Sequence, residues 1–315
     1  MTRYARSFVM VLIATLASCG SSTQGVPGTT SADMNATQTV ASVGQASAAA
    51  DTQSVPSPAT PAGNAGALNV FAAASLAGAF TELAKQFESA NTAMLRLNFA
   101  GSQQLAQQIK EGAAADIFAS ANQRQLAVAI EAGRVGAGTQ QIFARNRLVV
   151  IYPQDNPAQL TQLQDLAKPN VKLVLAAEAV PVGEYALDFL TKASELPEYS
   201  AAYKQSVLGN VVSYEENVKA VLTKVALSEA DAGVVYSSDV SPEVAGQVGR
   251  IDIPDELNTL AAYPIAPISD SPNAELAGQF IEYVLSPEGQ DVLAKYGFIV
   301  DDGAGQPTAS SVKQP

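Results

Sequence analysis

Hydrophobic and polar positions follow two alternating patterns from about residue 67 onwards. Leu68–Ala72 is a short apolar run, and in Ser75–Ser89 the large apolar residues then recur three and four positions apart. The first pattern predicts a buried β-strand and the second an amphipathic helix. The same patterns predict strands at Leu95–Phe99 and Asp116–Ala119 and helices from Ser102 and over Asn122–Ala132. Repeated strand–helix units of this length predict a mostly parallel sheet with helices on both faces.

A longer apolar run, Arg147–Pro153, interrupts this repeat and predicts a strand that opens a second α/β set. The further elements of that set are predicted at Lys172–Ala176, Gly183–Ala193, Gln205–Ser213, Val218–Val225 and Gly233–Tyr236. The first lobe is completed by a return strand at Ala262–Ile268 and helices at Ala274–Leu285 and Pro287–Lys295. The sequence therefore predicts an α/β protein with two lobes, 67–145 plus 260–302 and 146–259. Two extended crossings would join them as a hinge beside a cleft.

The N-terminal residues have the pattern of a targeting segment. Arg3 and Arg6 precede the apolar run Phe8–Leu16, which is too short to span a bilayer. Leu16-Ala17-Ser18-Cys19 then resembles the bacterial lipobox, in which the cysteine is lipidated and becomes the new N-terminus. We therefore expect a signal peptide over residues 1–18, a lipid anchor at Cys19 and an extracytoplasmic location at the cell membrane. The alternative is a soluble secretory signal that contains a cysteine by chance.

Composition sets apart the stretch after Cys19. Residues 20–66 are rich in Ser, Thr, Ala, Gly, Gln and Pro, and only Asp33 and Asp51 are charged there. Such a segment has too few apolar side chains to offset the entropy of ordering, so it is predicted to be a disordered tether. A similar composition predicts a frayed tail over residues 303–315. Cys19 is the only cysteine, which excludes an intrachain disulfide.

Charge and residue usage exclude several classes of function. The net charge is −12 at pH 7, and loss of the two signal arginines takes it from −12 to −14, which argues against nucleic-acid partners. The chain has no histidine, so the usual general base and the commonest metal ligand are absent. A Ser-His-Asp enzyme is therefore excluded, while a Ser–Lys hydrolase using Lys85 or Lys110 remains an alternative without a supporting motif. No cofactor is predicted.

Four strand-to-helix junctions carry small or hydroxylic residues. They are Ala74-Ser75, Gly101-Ser102, Pro181-Val182-Gly183 and Glu216-Asn217-Val218. In an open α/β sheet such junctions lie at the carboxyl ends of the strands, where ligands bind. Each helix start offers unpaired N–H groups and a partial positive charge, so several that converge form an anion site without Lys or Arg. The alternative is that Ser75 and Ser102 are plain N-caps and Tyr236 is a half-buried tyrosine with its hydroxyl in water.

Taken alone, these patterns indicate a two-lobe binding protein of unspecified ligand. Six segments carry a family resemblance: Val70–Leu76, Asn98–Ser102, Gln107–Phe118, Val180–Ala186, Glu216–Lys219 and Ala232–Asp239, of which the first five together are specific. In this order, and over essentially all of Ala67–Val300, the chain resembles the periplasmic molybdate-binding proteins of ABC transporters. Two further segments, Ser286–Gln290 and Lys295–Phe298, are shared widely among binding proteins.

This resemblance implies a type II periplasmic-binding fold, in which each lobe is a mixed, mostly parallel sheet flanked by helices. It implies a monomeric binding protein, not an enzyme, that captures molybdate or tungstate in the cleft. The bound oxyanion would then be delivered to the membrane permease of an ABC importer. The alternative within the same class is a binding protein for another small anion, such as sulfate or an organic acid.

The resemblance also implies which residues hold the oxyanion. They are Ser75, Ser102, Val182, Val218 and Tyr236. The two serines and the tyrosine would contribute hydroxyls, and the first four residues would contribute main-chain N–H groups, with no direct ligand to the metal atom. Glu215 and Glu216, beside the Val218 junction, are expected to cap the helix or to face water.

Overall fold

The computed structural model of the chain describes residues 67–300. The predicted signal peptide, the lipidation site at Cys19, the tether and the tail from residue 303 lie outside these residues. Within residues 67–300, no helix has the length and apolar content needed to cross a membrane.

Ten strands and eight α-helices make up this range. The strands are β1 (Ala67–Ala73), β2 (Met94–Ala100), β3 (Ile117–Ala119), β4 (Gln141–Asn146), β5 (Leu148–Pro153), β6 (Leu173–Ala176), β7 (Val211–Glu215), β8 (Ala232–Tyr236), β9 (Val248–Asp252) and β10 (Ala261–Pro267). The helices are α1 (Ala77–Ala90), α2 (Ser102–Lys110), α3 (Gln123–Glu131), α4 (Pro181–Ser194), α5 (Tyr203–Gly209), α6 (Val218–Ala226), α7 (Ala274–Leu285) and α8 (Pro287–Lys295). Short 3₁₀ turns lie at Ala74–Leu76, Leu163–Ala167 and Ser237–Asp239.

The strands form two five-stranded sheets, one in each lobe. The first has the order β2–β1–β3–β10–β4, and only β10 runs antiparallel to its neighbours. The second has the order β7–β6–β8–β5–β9, and only β5 runs antiparallel to its neighbours. Each sheet is therefore mixed with four of its five strands parallel, which confirms the predicted two-lobe α/β architecture.

Helices from both ends of the folded part pack together in the first lobe. Phe80 and Phe87 of α1 are buried, and their rings meet Phe280 of α7 edge-on at centroid distances of 6.1 and 5.2 Å. Burying an aromatic side chain of this kind stabilises the fold by roughly 1.5–3 kcal/mol. The C-terminal helix α7 thus packs directly on the first helix of the folded part.

The chain crosses between the sheets twice, from β4 to β5 and from β9 to β10. At the first crossing the buried Asn146 amide donates to Ser238 Oγ at 2.7 Å and accepts from Ser237 Oγ at 2.9 Å. At the second, the Asn258 side chain accepts from the Leu148 N–H at 3.0 Å and donates to the Leu148 carbonyl at 2.9 Å. These bonds tie both crossings to the strand ends that lie beside the cleft.

Two strands, β4 and β9, were not predicted by the hydrophobic pattern. Both are edge strands, so each pairs with the sheet on one side only. Edge strands keep polar and charged residues, as in the sequences QIFARN and VGRID. Their alternation of apolar and polar residues is therefore too weak to identify them.

The prediction of one element over Gln205–Ser213 was also wrong. Helix α5 ends at Gly209 and strand β7 begins at Val211, with Asn210 between them. Only Gly209 and Asn210 separate the last apolar residues of the helix from the first of the strand, and this Gly-Asn pair is the signal that could have marked the boundary.

Candidate functional site

All five residues for which the sequence predicted ligand contacts line one cavity between the lobes: Ser75, Ser102, Val182, Val218 and Tyr236. Including its open mouth, the cavity encloses about 210 Å³ of space free of protein atoms. Part of that space is open to solvent, so the enclosed part suits only a small ligand. Its lining residues carry no charged side chain.

Four helix starts converge on this cavity. Helix α2 begins at Ser102 and α6 at Val218, while Ser75 lies in the 3₁₀ turn that leads into α1. In α4 the first residue is Pro181, which has no N–H, so the N–H of Val182 is the first that the helix offers. The first N–H groups of a helix have no partner within it and carry a partial positive charge. The cavity is thus surrounded by fixed donors from both lobes.

The two serine hydroxyls are not used for helix capping. Helix α2 starts after Gly101, whose N–H donates to Gln104 Oε1 at 3.1 Å. The 3₁₀ turn that contains Ser75 follows Ala73 and has no side-chain cap. The alternative of plain N-caps therefore does not describe either serine, and both hydroxyls remain available at the cavity.

Each serine oxygen has a protein partner behind the cavity. Ser102 is 1% exposed, and its Oγ accepts from the Ala121 N–H at 3.0 Å. Ser75 is also buried, and its Oγ lies 2.9 Å from the Tyr263 hydroxyl. Sequence reasoning missed Ala121 and Tyr263, because one acts through its backbone and the other lies within an apolar strand.

Tyr236, the last residue of β8, is 1% exposed, so it is not the half-buried tyrosine of the alternative. Its hydroxyl has no hydrogen-bond partner of good geometry within residues 67–300. Burial raises the pKa of Tyr236 well above its usual range, and the nearby Tyr263 and Asp239 act in the same direction. The hydroxyl therefore stays protonated at neutral pH. An unpaired buried donor costs about 1–3 kcal/mol, which a ligand acceptor would relieve.

An ion pair between the partly exposed Lys219 and the buried Asp239 joins two of the elements that end at the cavity. Asp239 is fully buried, and its Oδ2 accepts from the Tyr236 N–H at 3.1 Å. Its Oδ1 lies 3.0 Å from Lys219 Nζ, as a close ion pair without the angle of a good hydrogen bond. Burial raises the pKa of Asp239, and Lys219 opposes that rise. Since Lys219 follows Val218 in the chain, the pair links the end of β8 to the start of α6.

On one side of the cavity the lobes are joined through Glu216. Its carbonyl oxygen accepts from Gln103 Nε2 at 2.8 Å, and its carboxylate accepts from Gln104 Nε2 at 3.0 Å. Asn217, and not a glutamate, caps α6 by accepting from the Ala220 N–H. Glu216 is exposed, as expected, but it bridges the lobes as well. Glu215 instead pairs with Lys224 at 2.6 Å.

On the other side, residues at the start of α3 contact the start of α4. Asn122 Nδ2 donates to Glu184 Oε2 at 3.0 Å, and Arg124 Nε lies 3.2 Å from the same oxygen. Gln125 Nε2 donates to the Ala179 carbonyl at 3.1 Å. With polar contacts on both sides of the cavity, the cleft is closed in this structure.

Closure also depends on the absence of a side chain at Gly101. A Cβ at that position would lie 2.5 Å from the Glu216 carbonyl oxygen of the opposite lobe. It would also approach the Gln103 side chain, which can move, whereas the Glu216 backbone carbonyl cannot move without opening the cleft.

Within residues 67–300, no group of three or more Cys, Asp or Glu side chains is arranged to hold a metal ion.

Comparison with known proteins agrees with this architecture. The molybdate-binding protein ModA of Mycobacterium tuberculosis is 35% identical over 243 residues, which cover 77% of this chain and 88% of that protein. A putative ABC transporter substrate-binding lipoprotein of Bacillus subtilis, YvgL, is 28% identical over 236 residues, or 74% of this chain and 86% of its own length.

A solved structure shows the same fold. The periplasmic molybdate-binding protein of Azotobacter vinelandii superposes with a TM-score of 0.64 over 74% of this chain and 99% of that one, at 18% identity. Residues 68–299 match the family model described as bacterial extracellular solute-binding protein. The resemblance to molybdate-binding proteins that the sequence motifs indicated is thereby confirmed. The chain belongs to the bacterial extracellular solute-binding protein family.

Proposed function

We propose that this protein captures molybdate or tungstate in the cavity between its lobes and delivers it to the membrane permease of an ABC importer. The observation that carries the proposal is an uncharged cavity between the lobes on which four helix starts and three buried hydroxyls converge. Its M. tuberculosis relative bears the name of a molybdate-binding protein. That relationship supports the choice of ligand.

The donors of the cavity match the needs of a tetrahedral dianion. In a closed cleft such an ion loses its hydration, so its oxygens need hydrogen-bond donors in place of water. The hydroxyls of Ser75, Ser102 and Tyr236 and the N–H groups of Ser75, Ser102, Val182 and Val218 would supply them. Because the lining has no carboxylate, an oxyanion without protons is favoured over a protonated one. Selection against sulfate, which has the same charge, would depend on cavity size.

The acidic net charge does not oppose anion binding at this site. The net charge of −12 is spread over the whole chain, and charges in solution are screened within about 8 Å at physiological salt. The helix starts are in direct contact with the cavity, so their partial charges act at short range. No cofactor takes part in this function.

The hydrolase alternative finds no support in the position of the lysines. Lys110 is exposed at the last residue of α2, whereas Ser102 is the first residue of the same helix. At 1.5 Å per residue the two ends lie roughly 12 Å apart, too far for a base to take a proton from the hydroxyl. Lys85 is exposed on α1. The proposed role is therefore binding without catalysis.

Outside the described residues, we propose removal of residues 1–18, lipidation of Cys19 and a tether over residues 20–66. The lobes would span 67–145 plus 260–302 and 146–259, and the protein would act as a monomer without a nucleic-acid partner. The substrate-binding lipoprotein YvgL supports this arrangement. Membrane fractions should retain the wild type and lose Cys19→Ala, and equal retention of both would contradict the anchor.

Titration of the purified protein with molybdate, tungstate, sulfate and phosphate tests the ligand. We expect molybdate and tungstate to raise the melting temperature, since ligand at a hundredfold excess over Kd stabilises the folded state by about 2.7 kcal/mol. Sulfate and phosphate should have little effect. A shift with sulfate and none with molybdate or tungstate would overturn the proposal.

A further inference from the structure

Tyr263 stands directly behind the cavity without lining it. It belongs to β10 in the first lobe, is fully buried, and meets the ring of Tyr236 edge-on at a centroid distance of 5.7 Å. Its hydroxyl lies 2.9 Å from Ser75 Oγ, and either oxygen could be the donor. The position of one proton therefore decides whether Ser75 presents a donor or an acceptor to the ligand.

The chemistry of the two hydroxyls determines where that proton lies. A phenol is far more acidic than an aliphatic alcohol, so the Tyr263 hydroxyl is the stronger donor of the two and Ser75 Oγ is the stronger acceptor. With the two oxygens 2.9 Å apart, the favoured arrangement is therefore Tyr263 donating to Ser75.

In this arrangement the proton between the two oxygens belongs to Tyr263. Burial raises the pKa of Tyr263 well above its usual range, so this proton is retained at neutral pH. The neighbouring acceptor is Ser75 Oγ. When Ser75 accepts that proton, its own hydroxyl hydrogen points away from Tyr263 and is free to bond an oxygen in the cavity.

We propose that Tyr263 is a positioning residue that holds the Ser75 hydroxyl as a donor toward the ligand. The site thereby rejects oxyanions that carry a proton. This inference rests on the proposed function and concerns the same cavity. The Ala121 N–H does the same for Ser102, since it occupies the acceptor side of that hydroxyl. Both serines are thus held as donors from behind, one by the backbone and one by a side chain that can be changed.

A double-mutant cycle tests this role. Tyr263→Phe keeps the ring and removes the hydroxyl, and it should weaken molybdate binding roughly threefold to tenfold, as expected for the loss of one neutral hydrogen bond. In a Ser75→Ala background the same change should alter the affinity less than about twofold, because no hydroxyl remains to be oriented. An equal loss in both backgrounds would mean that Tyr263 acts through packing, and would overturn the proposal.

Ligand preference gives a second readout that a packing effect would not change. Phosphate carries at least one proton at neutral pH, and in Tyr263→Phe the freed Ser75 oxygen could accept that proton. The ratio of molybdate affinity to phosphate affinity should therefore fall in this variant. An unchanged ratio would contradict the proposal.

Tyr203→Phe is the matched control. Tyr203 is buried in the second lobe, and its hydroxyl donates to the Leu163 carbonyl at 2.6 Å, away from the cavity. This variant should lower the melting temperature without altering the affinity or the ligand ratio. If the wild type binds neither molybdate nor tungstate, the proposed function fails and this inference with it. If the wild type binds and the cycle is additive, only this inference fails.

Discussion

The two lobes contribute to the cavity in different ways. The first lobe presents the hydroxyls of Ser75 and Ser102, and each has a hydrogen-bond partner behind it. The second lobe presents the backbone N–H groups of Val182 and Val218 at two helix starts, and Tyr236 is the one hydroxyl on that side of the lining. One half of the site therefore depends on which side chains are present, and the other half depends mainly on the path of the backbone.

This difference indicates which substitutions should weaken ligand binding. A hydroxyl donor is lost with its side chain, and its direction depends on the residues behind it. A backbone donor survives a change of side chain as long as the helix begins at the same residue. The buried side chains of Val182 and Val218 then serve to shape the cavity and to fill the space beneath it.

The largest effects are expected when hydroxyls are removed. Tyr236→Phe and Ser102→Ala each delete one donor to a charged oxygen, which is worth about 1.5–3 kcal/mol, so molybdate affinity should fall about 10- to 150-fold. Val218→Ala keeps its N–H group and should cost much less. Isothermal titration calorimetry measures all three, and a greater loss in Val218→Ala than in Tyr236→Phe would reverse the assigned roles.

Ser102→Ala and Tyr236→Phe should also differ in the stability of the ligand-free protein. Ser102→Ala leaves the buried Ala121 N–H without its acceptor, so it should lower the free energy of unfolding by about 1–3 kcal/mol. Tyr236→Phe removes a hydroxyl that has no protein partner and should leave the stability unchanged or slightly higher. Denaturant unfolding without ligand measures both free energies of unfolding. An equal loss of stability in Tyr236→Phe would contradict the prediction.

Gly101→Ala should weaken binding by preventing full closure. The added Cβ would meet the Glu216 carbonyl of the other lobe, and overpacking of this kind costs about 1–3 kcal/mol, or roughly a 5- to 150-fold loss of affinity. Gly278→Ala is the control, since a Cβ there meets nothing within 4 Å on α7. The control should bind normally and be slightly more stable. Normal affinity in Gly101→Ala would show that closure does not require the glycine.

A smaller effect is expected from the polar contacts at the edges of the cleft. Glu216→Ala removes the carboxylate that accepts from Gln104 but keeps the carbonyl that accepts from Gln103. Because exposed pairs contribute about 0–1 kcal/mol, ligand release should become no more than about fivefold faster. Stopped-flow displacement measures this rate. A change above tenfold would mean that Glu216 helps to bind the anion itself.

The smallest effect is expected from pH. The cavity lining carries no charged side chain, and the raised pKa of Tyr236 keeps its hydroxyl protonated above pH 10. Molybdate affinity should therefore be nearly constant between about pH 7 and pH 9, where unperturbed tyrosines and backbone amides do not titrate. A tenfold change in Kd across this window would show that a titrating group takes part in binding.

Most of the fold followed from hydrophobic periodicity, because helices α7 and α8 and the strands in the middle of the sheets have strong patterns. The strands β4 and β9 did not, since their apolar and polar residues alternate poorly, whereas the edge strand β2 keeps a clear alternation. The site residues could be placed at helix starts because small and hydroxylic residues stand there. Their assignment to an oxyanion came from the family resemblance and not from the spacing.

The hydrogen bonds behind the site could not be predicted from the sequence. Tyr263 lies in a run of apolar residues, and its contact with Ser75 spans 188 positions along the chain. Ala121 contributes only its N–H, for which no side chain gives a signal. Bridging by Glu216 likewise depends on how the lobes meet. Such contacts are set by tertiary packing, which a local pattern does not encode.

The most direct test of the central claim is an anomalous-diffraction map of crystals grown with molybdate. The cavity donors predict one strong molybdenum peak between the lobes, with oxygens about 2.7–3.2 Å from the hydroxyls of Ser75, Ser102 and Tyr236 and the amide nitrogens of Val182 and Val218. A protein that binds molybdate in solution but shows its peak outside this cavity, or beside lysine side chains, would contradict the account.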